Sequence, residues 1–138
     1  MRVRRLDSAP PPSSPGHLAT AMVGFVIALA ALRLFPLRVC LALARAGAVV
    51  TPRFAGTEEA EMILAALDRV ARHYPGRAAC LENSLAAHLT GVLLRRRFTW
   101  CIGSRFSPCE PHAWVEAQGR PVREDGATDR PLYAAIRI

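Results

Sequence analysis

The front part of the chain is apolar without a repeating polar face, whereas the rest has apolar positions first at helical spacing and then at every second residue. Residues 18–32 form an uncharged apolar stretch, and a second apolar run at 39–44 follows Arg33, Pro36 and Arg38. Fifteen residues rise only about 22 Å as a helix, short of a bilayer's roughly 30 Å hydrocarbon core, which argues against a simple membrane span. We predict two short apolar helices that pack on the domain or on a partner. A signal peptide and interfacial membrane contact are the alternatives.

The rear part begins with apolar residues at helical spacing. Thr57 is the predicted N-cap of a first helix. Glutamates follow at positions 58, 59 and 61, and the N-terminal end of a helix favours anions. Residues 74–76, Tyr-Pro-Gly, end this helix. A second helix is predicted from about Cys80 to Arg95. Its apolar residues fall at helical spacing: Leu81, Leu85, Leu89, Val92 and Leu93.

From residue 98 the apolar period changes to two, which predicts strands. Residues 98–103 and 112–117 are the first and second predicted strands. The sequence Gln-Gly-Arg at 118–120 is the predicted tight turn into a third strand at 121–123. Two helices followed by an antiparallel sheet indicate an α+β fold.

Length and charge narrow the class of function. The chain of 138 residues has room for one domain, and all 18 of its basic residues are arginines. Up to Arg53 there are seven arginines against one aspartate, whereas the rest has eleven arginines and ten acids. The positive charge therefore belongs to the front segment. Because the rear part also lacks a stacking aromatic series and zinc-finger spacing, we expect no nucleic-acid partner.

Four cysteines stand at irregular intervals, unlike a small secreted disulfide framework, so we expect reduced thiols in a cytosolic protein. Cys40 and Cys101 have apolar neighbours and are predicted core thiols. A metal site is an alternative, since the C-x-x-H step from Cys109 to His112 is permitted for zinc. Cys80 and Cys101 would complete it. The paired C-x-x-C knuckle is missing, however, and we expect neither a metal nor another cofactor.

The candidate chemistry lies in one cysteine and one histidine. Cys80 stands at the predicted start of a helix, and His112 follows it 32 residues later in the strand sequence P-H-A-W-V-E. A helix N-terminus and an imidazolium lower the pKa of a thiol from about 8.5 and make it a good nucleophile, with the imidazole as its base. The backbone N–H of Cys80 is the expected oxyanion donor. Trp114 is expected to pack beside the histidine.

Four segments of the rear part carry a family resemblance. C-L-E-N-S-L-A, R-R-R-F, W-C-I-G-S-R and P-H-A-W-V-E-A-Q-G-R-P-V resemble the leader peptidase of lasso-peptide biosynthesis, a transglutaminase-like cysteine protease that excises the leader from a ribosomal precursor. The resemblance implies a transglutaminase-like or papain-like core with N-terminal helices and a small antiparallel sheet. It implies Cys80 as nucleophile, His112 as base and Glu124 as the third residue of a triad. Asp125 is the alternative third residue, because several members have Asp there.

The chain is expected to divide into three parts: a flexible, basic and proline-rich tail at 1–17, an apolar helical segment at 18–53 and the peptidase domain at 54–138. The resemblance implies three partners: the leader of a precursor peptide, a separate small leader-recognition protein and an asparagine-synthetase-like cyclase. Two other functions stay open. The chain could be an acyl-transferring enzyme with the same core, or a non-catalytic scaffold subunit of a peptide-maturation complex.

Overall fold

The computed structural model describes residues 15–74, 80–106, 109–122 and 132–138. Over these residues, four helices precede a small antiparallel sheet. The helices are α1 (Pro15–Leu34), α2 (Leu37–Val49), α3 (Thr57–Arg72) and α4 (Cys80–Leu93). The strands are β1 (Thr99–Arg105), β2 (Glu110–Ala117), β3 (Arg120–Pro121) and β4 (Leu132–Arg137). The α+β class is confirmed.

The described strands form one sheet in the order β3-β2-β1-β4. β1 and β2 pair antiparallel in a register that sets Gly103 opposite His112. The predicted turn after β2 is present, since Gln118 and Gly119 both have positive φ, 55° and 76°, the twist that a two-residue hairpin needs. β4, which the sequence pattern did not predict, pairs antiparallel with β1 on the side away from β2.

Helix α4 lies at the centre of the fold, in contact with α1, α2, α3, β1 and β2. Its residues 84–91 are all buried, although apolar spacing predicted a one-sided stripe, and Leu93 from that stripe is exposed. Small residues make burial on every side feasible. A methyl group added at Gly91 would lie 2.5 Å from the Arg96 carbonyl oxygen. Across the described residues, more than half of the buried apolar side chains are alanines.

Two buried polar side chains of α4 are hydrogen-bonded to its neighbours. Ser84 Oγ accepts from Trp100 Nε1 of β1 at 2.9 Å, and His88 Nε2 donates to the Ala44 carbonyl oxygen of α2 at 2.9 Å. Burial lowers the pKa of His88 because the imidazolium would lose its hydration. A neutral ring is therefore favoured, and it ties α4 to α2.

Helix α1 is longer than the sequence pattern predicted. It has 20 residues, about 30 Å of rise, so the length argument against a membrane span was wrong. By length and composition alone α1 could cross a membrane, a test that the core helix of a soluble protein and a signal sequence also pass. One side of α1 packs on α3 and α4. Its buried residues are Ala21, Gly24, Phe25, Ala28 and Ala31.

Helix α3 has Gly56 as its N-cap, one residue before the predicted Thr57. Glu59 explains the shift, because its Oε1 accepts from the Gly56 backbone N–H at 2.9 Å. Its Oε2 accepts from Arg96 Nε at 2.5 Å. Both hydrogen bonds lower the pKa of Glu59. The bond from Gly56 has the larger effect, and the bond from Arg96 has the next largest. The acidic first turn therefore ties α3 to the segment after α4.

We expect Gly24→Ala to destabilise the fold, because a Cβ there would overlap the Thr90 hydroxyl and lie 3.1 Å from the Thr90 backbone nitrogen. Overpacking costs about 1–3 kcal/mol, against roughly 1 kcal/mol gained from alanine's helix propensity. Gly47→Ala is the matched control, since its added methyl meets the Val92 side chain first, at 3.1 Å. Urea unfolding should give a lower midpoint for Gly24→Ala only. Equal midpoints would contradict the close packing of α1 on α4.

Candidate active site

A cleft of about 200 Å³ lies between α3, the start of α4 and β2. α4 contributes Cys80, Asn83, Ser84 and Ala87, and α3 contributes Leu64, Leu67 and Asp68. The sheet side contributes His112, Ala113, Trp114, Val115 and Val122. Cys80 and His112 are far apart in the sequence, and folding brings them to the walls of one cleft.

Cys80 is the first residue of α4 and is exposed. This position sets its side chain at the end of the helix where unpaired backbone N–H groups favour a negative charge. Cys40 and Cys101 are buried, which confirms them as core thiols. Burial raises the pKa of both, that of Cys101 to about 12. Cys109 is exposed just before β2 but is not among the residues that line the cleft.

His112 is held by an aromatic neighbour, as predicted. The rings of His112 and Trp114 stack with centroids 5.8 Å apart and an interplanar angle of 18°. Trp114 Nε1 donates to Glu116 Oε2 at 3.0 Å, and Arg137 Nη1 of β4 donates to Glu116 Oε1 at 2.7 Å. The hydrogen bond to Glu116 raises the pKa of Arg137. The orientation of the histidine thus depends on a hydrogen-bonded chain that begins in β4.

Arg105 of β1 also contacts His112, with Arg105 Nη2 3.0 Å from His112 Nε2. A guanidinium can only donate, so Nε2 accepts, and the neutral ring carries its proton on Nδ1. An imidazolium would direct an N–H at the cation, so this contact belongs to the uncharged ring. Proton uptake at Nε2 therefore requires Arg105 to move away or the ring to turn.

The other predicted residues have different outcomes. Glu124 and its alternative Asp125 lie outside the described residues, and their roles stay predictions. Gln118 Nε2 donates to the Ala55 carbonyl oxygen at 3.0 Å and so attaches the β2–β3 turn to the segment before α3.

In the described parts of the chain, no group of three or more His, Cys, Asp or Glu side chains could hold a metal ion.

Three further polar residues line the cleft, and the sequence patterns did not single them out: Asp68, Asn83 and Ser84. Asn83 follows Cys80 by three positions, which puts both on neighbouring parts of the α4 surface, a signal that was available. Asp68 belongs to α3 and reaches the cleft through helix packing, which no local pattern predicts. The cleft therefore offers a thiol, an imidazole, an amide, a hydroxyl and a carboxylate.

Burial and pKa predict which cysteines react with an alkylating reagent. In the folded protein at pH 8, iodoacetamide should label Cys80 and Cys109 and leave Cys40 and Cys101 unmodified, because the reactive form is an accessible thiolate. Peptide mapping by mass spectrometry measures each site. In urea all four should react, which is the control for reagent access. Labelling of Cys101 in the folded protein at the rate of Cys80 would contradict the described packing.

Comparison with known proteins identifies the superfamily of the chain. The model of the transglutaminase-like superfamily matches residues 19–137, which include most of α1 and all four described strands. No curated protein and no solved structure matches the chain. The expected transglutaminase-like core is confirmed by the match, which covers most of the sequence. The chain belongs to the transglutaminase-like superfamily.

Proposed function

We propose that this protein is a cysteine peptidase that removes the leader from a ribosomally synthesised lasso-peptide precursor. The observation that carries the proposal is that Cys80, at the start of α4, and His112, near the start of β2, line the same cleft. Membership of the transglutaminase-like superfamily supports a cysteine-protease or acyl-transfer core. The sequence resemblance of residues 54–138 supports the narrower leader-peptidase assignment.

The proposed reaction proceeds through a thioester. His112 takes the proton of the Cys80 thiol, and the sulfur attacks the carbonyl carbon of the leader–core peptide bond. His112 then gives that proton to the departing amine of the core as the C–N bond breaks. The leader stays bound to Cys80 as an acyl group. Water, deprotonated by His112, attacks the thioester and releases the leader as a carboxylic acid while the thiol is restored.

The oxyanion of this reaction needs donors near the sulfur. The backbone N–H of Cys80 is one, at the N-terminal end of α4 where intrahelical acceptors are lacking. The Asn83 side chain supplies a second amide on the same cleft wall. The Ser84 hydroxyl donates to the Leu81 carbonyl oxygen at 3.2 Å and accepts from Trp100 Nε1. We propose Asn83 as the second donor because its amide lines the cleft three positions after Cys80.

The contact between Arg105 and His112 fits a resting state of this mechanism. While Nε2 accepts from Arg105, that nitrogen cannot take the thiol proton. We propose that Glu124 orients the imidazole in the active state and stabilises its cation, as the carboxylate of other hydrolase triads does. Movement of Arg105 away from Nε2 would then accompany activation.

We propose that a separate small leader-recognition protein brings the precursor to the cleft, and that an asparagine-synthetase-like cyclase uses the released core. A partner that holds the leader raises the effective concentration of the scissile bond. These reactions would take place in the cytoplasm. An amine acceptor in place of water would make the protein an acyltransferase. The exposure of Cys80 favours hydrolysis, because water reaches the thioester freely.

The central test is cleavage of a precursor followed by mass spectrometry. Purified protein with precursor and the recognition protein should release leader and core, about 10²–10⁴-fold faster than without the recognition protein. Cys80→Ala should lower the rate by more than about 10⁴-fold, because it removes the nucleophile. Intact precursor after incubation with the wild-type protein would rule out the assignment.

Cys109→Ala is the matched control, because Cys109 is the other exposed cysteine and does not line the cleft. It should cleave at the wild-type rate. Equal cleavage by Cys80→Ala and the wild type would exclude the nucleophile role. A leader joined to an added amine, in place of the free acid, would identify the acyltransferase alternative.

The third residue is tested by two conservative changes. Glu124 and Asp125 are adjacent in the sequence, and the family resemblance implies that Glu124 is the residue that contacts the imidazole. We expect Glu124→Gln to lower kcat by about 10²–10⁴-fold and Asp125→Asn to change it by less than about three-fold. Steady-state kinetics with the complete system decide between them. The reverse ranking would assign the role to Asp125.

A further inference from the structure

The outer side of α1 is as apolar as the side that packs on the domain. The exposed residues of this helix include Met22, Val23, Val26, Ile27 and Leu34, with exposed fractions between 39% and 73%. Arg33, near the end of the helix, is the one charged residue of α1, and its guanidinium donates to the Tyr74 hydroxyl. A helix that is apolar on all sides is typical of complete burial, in protein or in lipid. The described packing covers only one side.

Helix α2 continues this surface. Val39, Leu43 and Val49 are exposed on it, at 41%, 44% and 78%, while Cys40 and Ala44 face the core. Side chains of α1 and α2 together border an apolar groove that includes Val26, Ile27, Phe35, Val39 and Leu43. We refer to these five residues and their exposed apolar neighbours on the two helices as the α1–α2 face.

The charged residues of α1 and α2 all have one sign. Arg38 and Arg45 are both exposed and stand seven positions apart, two turns along one edge of α2. From Ser8 to Gly56 the sequence contains no aspartate or glutamate. The α1–α2 face thus has an apolar centre and a cationic edge, and its two helices carry no anion. Such a face is complementary to a layer that has an apolar interior and anionic groups at its surface.

We propose that the α1–α2 face binds the surface of an anionic lipid bilayer, with the apolar side chains among the upper acyl chains and Arg38 and Arg45 at the lipid phosphates. A second copy of the chain is a poorer occupant, because its face would bring arginines against arginines. A transmembrane orientation of α1 is also disfavoured, because it would separate Gly24 and Phe25 from the core into which they are packed.

Binding in this orientation leaves the candidate active site open. The described residues that line the cleft come from α3, α4 and the sheet side, and none comes from α1 or α2. The protein would act as a peripheral enzyme that works at the membrane surface. Because the inference rests on surface chemistry and not on the proposed peptidase function, a failure of one does not affect the other.

Flotation of the full-length protein with lipid vesicles tests the proposal. Vesicles of phosphatidylcholine with phosphatidylglycerol should carry the protein to the top of the gradient, and pure phosphatidylcholine vesicles should carry much less. The double variant Val26→Gln/Leu43→Gln should weaken binding to the anionic vesicles by more than about ten-fold. Leu93→Gln/Tyr133→Gln, which alters two equally exposed apolar residues elsewhere, should bind as the wild type does.

A second pair of double variants tests the contribution of the arginines to vesicle binding. Arg38→Gln/Arg45→Gln should weaken binding about five-fold for each arginine removed, and added salt should weaken wild-type binding too. Arg69→Gln/Arg72→Gln removes two exposed arginines of α3 and should change binding less. Circular dichroism confirms that each variant is folded.

Several results would overturn the proposal. The first is no flotation with anionic vesicles. The second is that Val26→Gln/Leu43→Gln and Arg38→Gln/Arg45→Gln still float with the vesicles while Arg2→Gln/Arg4→Gln/Arg5→Gln does not. This result would assign binding to the N-terminal arginines. The third is a dimer in sedimentation velocity that Val26→Gln/Leu43→Gln dissociates, which would make the face a self-interface. The fourth is resistance of bound protein to alkaline carbonate, which would indicate that α1 crosses the bilayer.

Discussion

The burial of α4 on all sides is the constraint on which the rest of the structure depends. A helix in contact with three other helices and two strands needs small residues where backbones approach, and its burial removes polar side chains from water. Trp100 donates a hydrogen bond to Ser84, and His88 donates one to the Ala44 carbonyl oxygen. Because the middle of the helix is fixed by this packing, its first residue, Cys80, has a fixed position at the surface.

The histidine side of the cleft is fixed by different means. β2 places His112 on the sheet, and Trp114, Glu116 and Arg137 hold its ring through stacking and hydrogen bonds. The nucleophile therefore depends on helix packing, and the base depends on the pairing of β2 and β1 with β4. A site assembled in this way combines two separately stabilised walls, and a defect in either one misaligns the pair.

The sequence predicted what local patterns encode. The start of α4 at Cys80, the strand that carries His112 and the turn at 118–119 follow from apolar spacing and turn chemistry. It did not predict β4, which forms by pairing with the distant strand β1. It also did not predict the contact between Arg105 and His112, which arises from the pairing of β1 and β2 across the turn between them. The N-cap of α3 moved by one residue because Glu59 bonds to the Gly56 amide, and propensity alone does not fix that choice.

The predominance of alanine in the core has a consequence for how this domain can vary. At a buried alanine almost every replacement adds volume, and in a core where helices approach this closely added volume has to be accommodated by a movement of backbone. Single changes in the core will therefore be tolerated less often than changes on the surface. Diversity among stable sequences of this architecture should accumulate as compensating pairs, one residue growing while its neighbour across the helix contact shrinks.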